Sequence, residues 1–138
     1  MDPNLQKELS DKYPNIFFEN GKKRKPFLVY GIECHDGWHP LIALLLYNIQ
    51  WEIENNQAPP VHIAQIKEKF GGLRFYYDGG NKVIAGMVRM AESISYSICE
   101  YCGQTGTRRG GGWILTLCDP CQTKREENRN KNVSPYPK

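Results

Sequence analysis

The run Val61-His62-Ile63-Ala64-Gln65-Ile66-Lys67-Glu68-Lys69-Phe70-Gly71-Gly72-Leu73-Arg74-Phe75-Tyr76-Tyr77-Asp78 carries the clearest statement about the fold. Ala64, Ile66 and Phe70, then Leu73, Phe75 and Tyr77, alternate with Gln65, Lys67 and Lys69, then Arg74 and Tyr76. Glu68 is the one polar residue on the apolar side. A two-residue period is that of a half-buried strand. Gly71-Gly72 stands between the halves, and two glycines supply the positive φ angles of a tight hairpin loop. The expectation is a β-hairpin over residues 61–78, closed by Asp78-Gly79-Gly80-Asn81.

Helices flank it on both sides. From Gly37 to Asn56, Trp38, Leu41, Ile42, Leu45, Ile49 and Ile53 recur at three- and four-residue spacing, and Leu44, Leu46 and Trp51 widen the apolar face. Asn55-Asn56 and Pro59-Pro60 end this segment. From Lys82 to Ile98 a second helix presents Val83, Ile84, Met87, Ala91, Ile94 and Ile98. Asp2-Pro3 reads as a cap with proline at the first helical position, starting a short helix that stops near Tyr13-Pro14. Asn20-Gly21 is a turn, Lys22-Lys23-Arg24-Lys25 a solvated basic loop, and Phe27 to Ile32 a short strand. The fold class is α+β: a hairpin-centred antiparallel sheet packed on two main helices.

The second helix runs without a breaker into Cys99-Glu100-Tyr101-Cys102-Gly103, followed by Cys118-Asp119-Pro120-Cys121. The arrangement C-x2-C-x15-C-x2-C has zinc-site spacing. Two cysteines three apart in a tight turn put both sulfurs on one ion, and two such turns complete a tetrahedron. Thr107-Arg108-Arg109, the Gly110-Gly111-Gly112 turn and Trp113-Ile114-Leu115-Thr116-Leu117 read as a second hairpin between the pairs. This is the layout of a zinc ribbon, with Cys99, Cys102, Cys118 and Cys121 as ligands of a structural Zn²⁺. Four thiolates leave no open position for catalysis. Spacing alone also admits iron. A redox pair is disfavoured because neither C-x-x-C opens a helix in a βαβ setting. The organisation read from the chain is an α+β core over residues 1–98, a ribbon docked on it over 99–121, and a frayed or disordered basic tail over 122–138.

Composition bounds the function. The chain has 138 residues, 40% of them hydrophobic, with a formal charge of +3. Residues 1–98 hold eleven Lys/Arg against eleven Asp/Glu, whereas residues 99–138 hold seven against four. A zinc–thiolate site is itself anionic, so Arg108, Arg109, Lys124 and Arg125 partly neutralise it. The longest apolar run, Leu41 to Tyr47, is seven residues, far short of the roughly 20 a membrane helix needs. The polar, acidic start from Met1 to Glu8 resembles no secretory leader. These features place the chain in a reducing cytosol, where spaced cysteines favour metal over disulfides.

Three further groups are candidates. Lys67, Lys69, Arg74 and Tyr76 form the open face of the hairpin, and cations interleaved with aromatics suit bases and phosphates; a plain amphipathic sheet is the alternative. Arg108, Arg109 and Trp113 lie at the ribbon tip, suited to a nucleic-acid or protein contact unless Trp113 packs inward. Cys34, His35, Asp36 and His39 precede the first long helix. They have the residue types of a second metal site or of a Cys/His nucleophile pair. The alternative is that Asp36 caps the helix, Trp38 packs and Cys34 is simply buried.

Asp36-Gly37-Trp38, Lys67-Glu68-Lys69-Phe70-Gly71 with Leu73-Arg74-Phe75-Tyr76, and Ala91-Glu92 with Ser95 combine with Cys99-Glu100-x-Cys102-Gly103, Gly112-Trp113 and Thr116-Leu117-Cys118-Asp119. Over about residues 31–121 this pattern resembles a group of small phage-borne and bacterial zinc-ribbon proteins. The second C-x-x-C departs from relatives whose last ligand is a histidine. The resemblance implies a cytosolic, phage-encoded zinc protein but supplies no activity and no catalytic residue. The leading expectation is a non-enzymatic binding protein acting on a host protein or nucleic acid, with the countering of a host defence as one such role. A nucleotide binder or sponge using the basic hairpin comes second, and an enzyme centred on Cys34 third. A near-neutral core speaks against strong non-specific DNA binding, which draws on many neutralised phosphates.

Overall fold

The computed structural model of the chain describes residues 1–23 and 31–131. Arg24 and Lys25 of the basic run, and Phe27 to Tyr30 of the expected strand, lie outside the described residues, as do residues 132–138. Among the described residues no helix is long and apolar enough to cross a membrane.

The N-terminal helices follow their punctuation. Asp2 caps α1 (Pro3–Lys12), its carboxylate accepting from the amides of Asn4 and Leu5 at 2.8 and 3.3 Å. Pro14 then starts the one-turn α2 (Pro14–Phe17). Leu9, Tyr13, Ile16 and Phe17 enter the core. Asn20-Gly21 turns with both residues at positive φ, and Glu19 and Lys22 exchange backbone hydrogen bonds across it.

The hairpin forms from β2 (Val61–Lys69) and β3 (Gly72–Gly79). Its turn lies one residue earlier than expected: Phe70 and Gly71 occupy the centre at φ 52° and 83°, and Lys69 pairs with Gly72. Phe70 consequently points to solvent rather than to the apolar side. Gly72 serves packing instead, since a Cβ there would lie 2.4 Å from the Tyr96 ring. A bulge between Ile63 and Gln65 also shifts the alternation in β2. Val61 and Ile63 are buried before it and Ile66 after it, while Ala64 is only half-buried. The short β1 (Ile32–Glu33) joins β2 in parallel, giving the order β1-β2-β3.

A 3₁₀ turn (Asp36–Trp38) leads into α3 (His39–Asn55), which buries Leu41, Ile42, Leu45, Leu46 and Ile49. Helix α4 (Lys82–Ser95) covers the outer edge of β3. Its buried face is Ile84, Val88, Ala91 and Ser95; Val83 and Ile94, expected inside, are exposed. Edge-strand chemistry explains the rotation. The outward amides of Leu73 and Phe75 donate to Ser95 Oγ and Glu92 Oε2, both at 2.9 Å. Polar groups of α4 therefore satisfy an unpaired sheet edge, a position that apolar periodicity assigns to Ile94.

The ribbon consists of β4 (Thr107–Arg109) and β5 (Leu115–Leu117), antiparallel, with Arg108 opposite Thr116. Beyond it residues 119–131 form helix α5 (Asp119–Lys131), where the sequence reads as a frayed helix giving way to a disordered tail; residues 132–138 lie outside the described residues. Cys118-Asp119-Pro120-Cys121 thus leads from β5 into a helix, and no parallel strand follows among the described residues.

Candidate metal centre

The four cysteines converge because two turns face each other. In the first, Gly103 N donates to Cys99 O at 2.9 Å, with Gly103 at φ 83°. In the second, Gln122 N donates to Cys118 O at 3.0 Å as α5 begins. The Sγ atoms of Cys99, Cys102, Cys118 and Cys121 all lie within 4.8 Å of one another, and Cys102 and Cys118 approach to 3.5 Å. A tetrahedral ion with bonds of about 2.3 Å to sulfur separates its ligands by about 3.8 Å, so the spacing fits such an ion. Among the described residues this is the one group of three or more metal-donor side chains gathered closely enough to hold a metal.

Electrostatics also fit a cation. Burial pushes the Cys99 thiol up, but the amides of Cys118, Cys102 and Tyr101 directed at it outweigh burial and lower it to about 7. Cys121 is pushed up instead, by burial and by its hydrogen bonds with the other three thiols. One thiolate is favoured by the turn, while Cys102 and Cys121 beside it are pushed up and resist ionising. A bound divalent cation removes that conflict by stabilising every thiolate at once.

The knuckle is fastened to the core at two places. At the 3₁₀ turn, Gly37 N donates to Glu100 O at 2.8 Å and Trp38 Nε1 donates to Ile98 O at 2.9 Å. A Cβ on Gly37 would fall 2.2 Å from the Cys99 carbonyl oxygen, so only glycine permits this approach. At the hairpin turn, Thr116 Oγ1 donates to Gly71 O at 2.6 Å and Arg108 Nε donates to Phe70 O at 3.0 Å. The Phe70-Gly71 turn is thereby the seat on which the ribbon rests.

The same contacts redefine the basic candidates. Arg74 donates to Leu73 O and to the Tyr96 hydroxyl, both at 2.9 Å. Arg108 stacks on the same ring at 5.3 Å, and Arg109 pairs with Asp119 at 2.6 Å. All three arginines are thus engaged within the chain. Lys69 and Tyr76 are exposed, and Lys67 is half-buried on β2. Trp113 is 71% exposed, its Nε1 donating to Glu68 Oε2 at 3.2 Å.

Cys34, His35, Asp36 and His39 do not assemble into a site. Cys34 is buried, and burial, followed by the nearby Glu100 carboxylate, pushes its thiol up to about 12, which holds it neutral and unreactive. His35 turns to Glu100, with Nδ1 at 2.8 Å from Oε2. Asp36 does not cap α3; its Oδ1 accepts from the Asp2 amide at 2.8 Å. His39 Nε2 is buried without a partner among the described residues. Trp38 is fully buried.

Sequence reading missed Glu100, whose almost wholly buried side chain lies between two of the clustered cysteines, Cys99 and Cys102. Nothing in its residue type signals burial. The only available sign is its place inside a C-x-x-C knuckle that follows a helix without a linker. No family model, no curated protein and no solved structure matches this chain.

Proposed function

We propose that this chain is a small zinc-ribbon protein that works by binding a protein partner rather than by catalysis. The observation that carries the reading is the cluster of four cysteine sulfurs within 4.8 Å of one another. A metal held by four thiolates fixes structure and has no position left for a substrate. Zinc is the ion because an all-thiolate tetrahedral set suits it and it brings no redox chemistry. The neutral thiol of Cys34 supports the non-catalytic reading.

A protein partner is favoured over nucleic acid by what the surface offers. The arginines of the basic candidates are spent on internal contacts. In contrast, Leu44, Tyr47 and Trp51 on α3 and Val83, Met90 and Ile94 on α4 are large apolar side chains left exposed. From His39 to Trp51 the sequence holds no Lys, Arg, Asp or Glu. Of these, Leu44, Met90 and Ile94 line one shared apolar groove between the two helices, and an exposed apolar patch of this kind marks a contact site. The partner therefore presents an apolar, weakly charged surface. The resemblance to phage-borne ribbons suggests a host protein in that role.

The test compares capture by the wild-type chain with capture by Leu44→Asp/Met90→Asp. Metal content and melting temperature are measured on both. A defined protein retained by the wild type, insensitive to moderate salt and lost from the double variant, supports the reading. Retention on duplex DNA with a steep salt slope contradicts it in favour of nucleic acid. A concentration-dependent dimer abolished by the same double variant contradicts it in favour of a second copy.

A further inference from the structure

A cavity of about 510 Å³ lies between the sheet edge and the ribbon, lined by Glu33, Glu68, Glu100, Tyr101, Trp113 and Arg125 among others. Its carboxylates come from three separate elements: β1, β2 and the first cysteine knuckle. They outnumber the Arg125 guanidinium and the Met1 amine there; His35 also lines the cavity, with Nδ1 at 2.8 Å from Glu100 Oε2.

Each carboxylate is partly committed. Glu33 Oε1 accepts from Gln65 Nε2 at 2.8 Å. Glu68 accepts from Gly71 N at 3.0 Å and from Trp113 Nε1 at 3.2 Å. Glu100 Oε2 accepts from His35 N at 3.0 Å. Glu100 Oε1, however, is buried without any partner among the described residues, and its residue is 1% exposed. A buried carboxylate oxygen without a donor is costly, and the few such atoms in folded proteins mark a missing ligand or water. Arg125 adds the complement: one guanidinium nitrogen donates to Trp113 O, and Nη1 is buried with no acceptor among the described residues. A single water, occupying about 30 Å³, does not fill this space.

The missing donor is not a metal ion, because these carboxylates do not converge as the four thiols do. It is not a substrate for Cys34, which lines the same cavity as a neutral thiol. We propose that the cavity binds an alkylguanidinium or alkylammonium group. The cation donates to Glu100 Oε1 and lies within the field of Glu33 and Glu68. The exposed Trp113 ring offers a face for cation–π contact. A carbonyl or carboxylate on the same ligand meets Arg125 Nη1. This chemistry comes either from a free small molecule or from an arginine or lysine side chain of a bound protein.

The experiment titrates the metal-loaded full chain by calorimetry with agmatine and with the blocked peptide acetyl-Gly-Arg-Gly-amide. Carbamoylputrescine and the citrulline peptide serve as neutral counterparts. One-to-one binding of either cation is expected, at least about tenfold tighter than its neutral counterpart. Preference for agmatine identifies a free ligand, and preference for the peptide a side chain of a partner. Glu100→Gln, checked for unchanged metal content, is expected to weaken binding about tenfold. Glu33→Gln, farther from the knuckle, is expected to weaken it less. Saturation by neither cation, equal binding of the neutral forms, or wild-type binding by both variants overturns the proposal. None of those results touches the docking of a protein on the α3–α4 face.

Discussion

Among the described residues, twenty-one buried side chains, from Leu9 to Ala91, fill the core between the sheet and the helices; in the ribbon the equivalent cluster is Cys99, Leu115 and Leu117. Both regions are antiparallel hairpins followed by a helix, yet only the first has enough apolar burial to hold itself together. Three small contacts cannot offset the entropy of ordering some thirty residues. On the proposed reading the ribbon depends on a metal held by its four cysteines and on the two seams at Gly37 and Gly71, whereas the core depends on packing. Similar local geometry is stabilised by different physics in the two halves.

The largest expected effect separates them outright. Stripping the metal removes a binding free energy of about 10 kcal/mol or more. Hydrogen exchange is expected to show loss of protection across residues 99–121, while the amides pairing β2 with β3 keep most of theirs. Uniform loss across both regions would merge the two into one metal-dependent unit. Next comes Leu46→Ala, which opens a cavity at a fully buried position in α3. It should cost about 3 kcal/mol by chemical denaturation and leave metal content unchanged. A metal-deficient Leu46→Ala protein would show that core packing also sets the site.

Gly37→Ala probes the first seam. The added methyl meets the Cys99 carbonyl oxygen, and overpacking of this kind costs about 2 kcal/mol. Unlike Leu46→Ala, it should also weaken metal retention against a competing chelator. Thr116→Val probes the second seam, where a buried hydroxyl holds the hairpin turn. A loss of about 1 kcal/mol is expected. The smallest effect concerns Cys34. In the metal-loaded native protein, iodoacetamide at neutral pH should leave it unmodified, because burial keeps the thiol protonated. Rapid alkylation there would reopen the nucleophile reading.

Much of this division is visible in the residues themselves. The cysteine spacing announces the ribbon, since ligand geometry leaves little freedom, and the strand and helix periods announce the core. What the periods hide is governed by contacts distant in sequence. The one-residue displacement of the Phe70-Gly71 turn follows from Tyr96 occupying the space beside Gly72. The exposure of Val83 and Ile94 follows from Ser95 and Glu92 turning inward to the free edge of β3. Ala64 gives no sign that a bulge will shift the alternation. Glu100 reads as an ordinary surface acid until Gly37 and His35 close over it.

Everything said of the ribbon turns on whether a metal ion pins it to the core. Native mass spectrometry of the purified chain, before and after chelation and with melting curves on the same samples, decides the matter. One zinc ion per chain is predicted, with a large fall in melting temperature once it is removed. A chain that carries no metal, or one that loses its metal with an unchanged melting curve and unchanged ribbon protection, would contradict it.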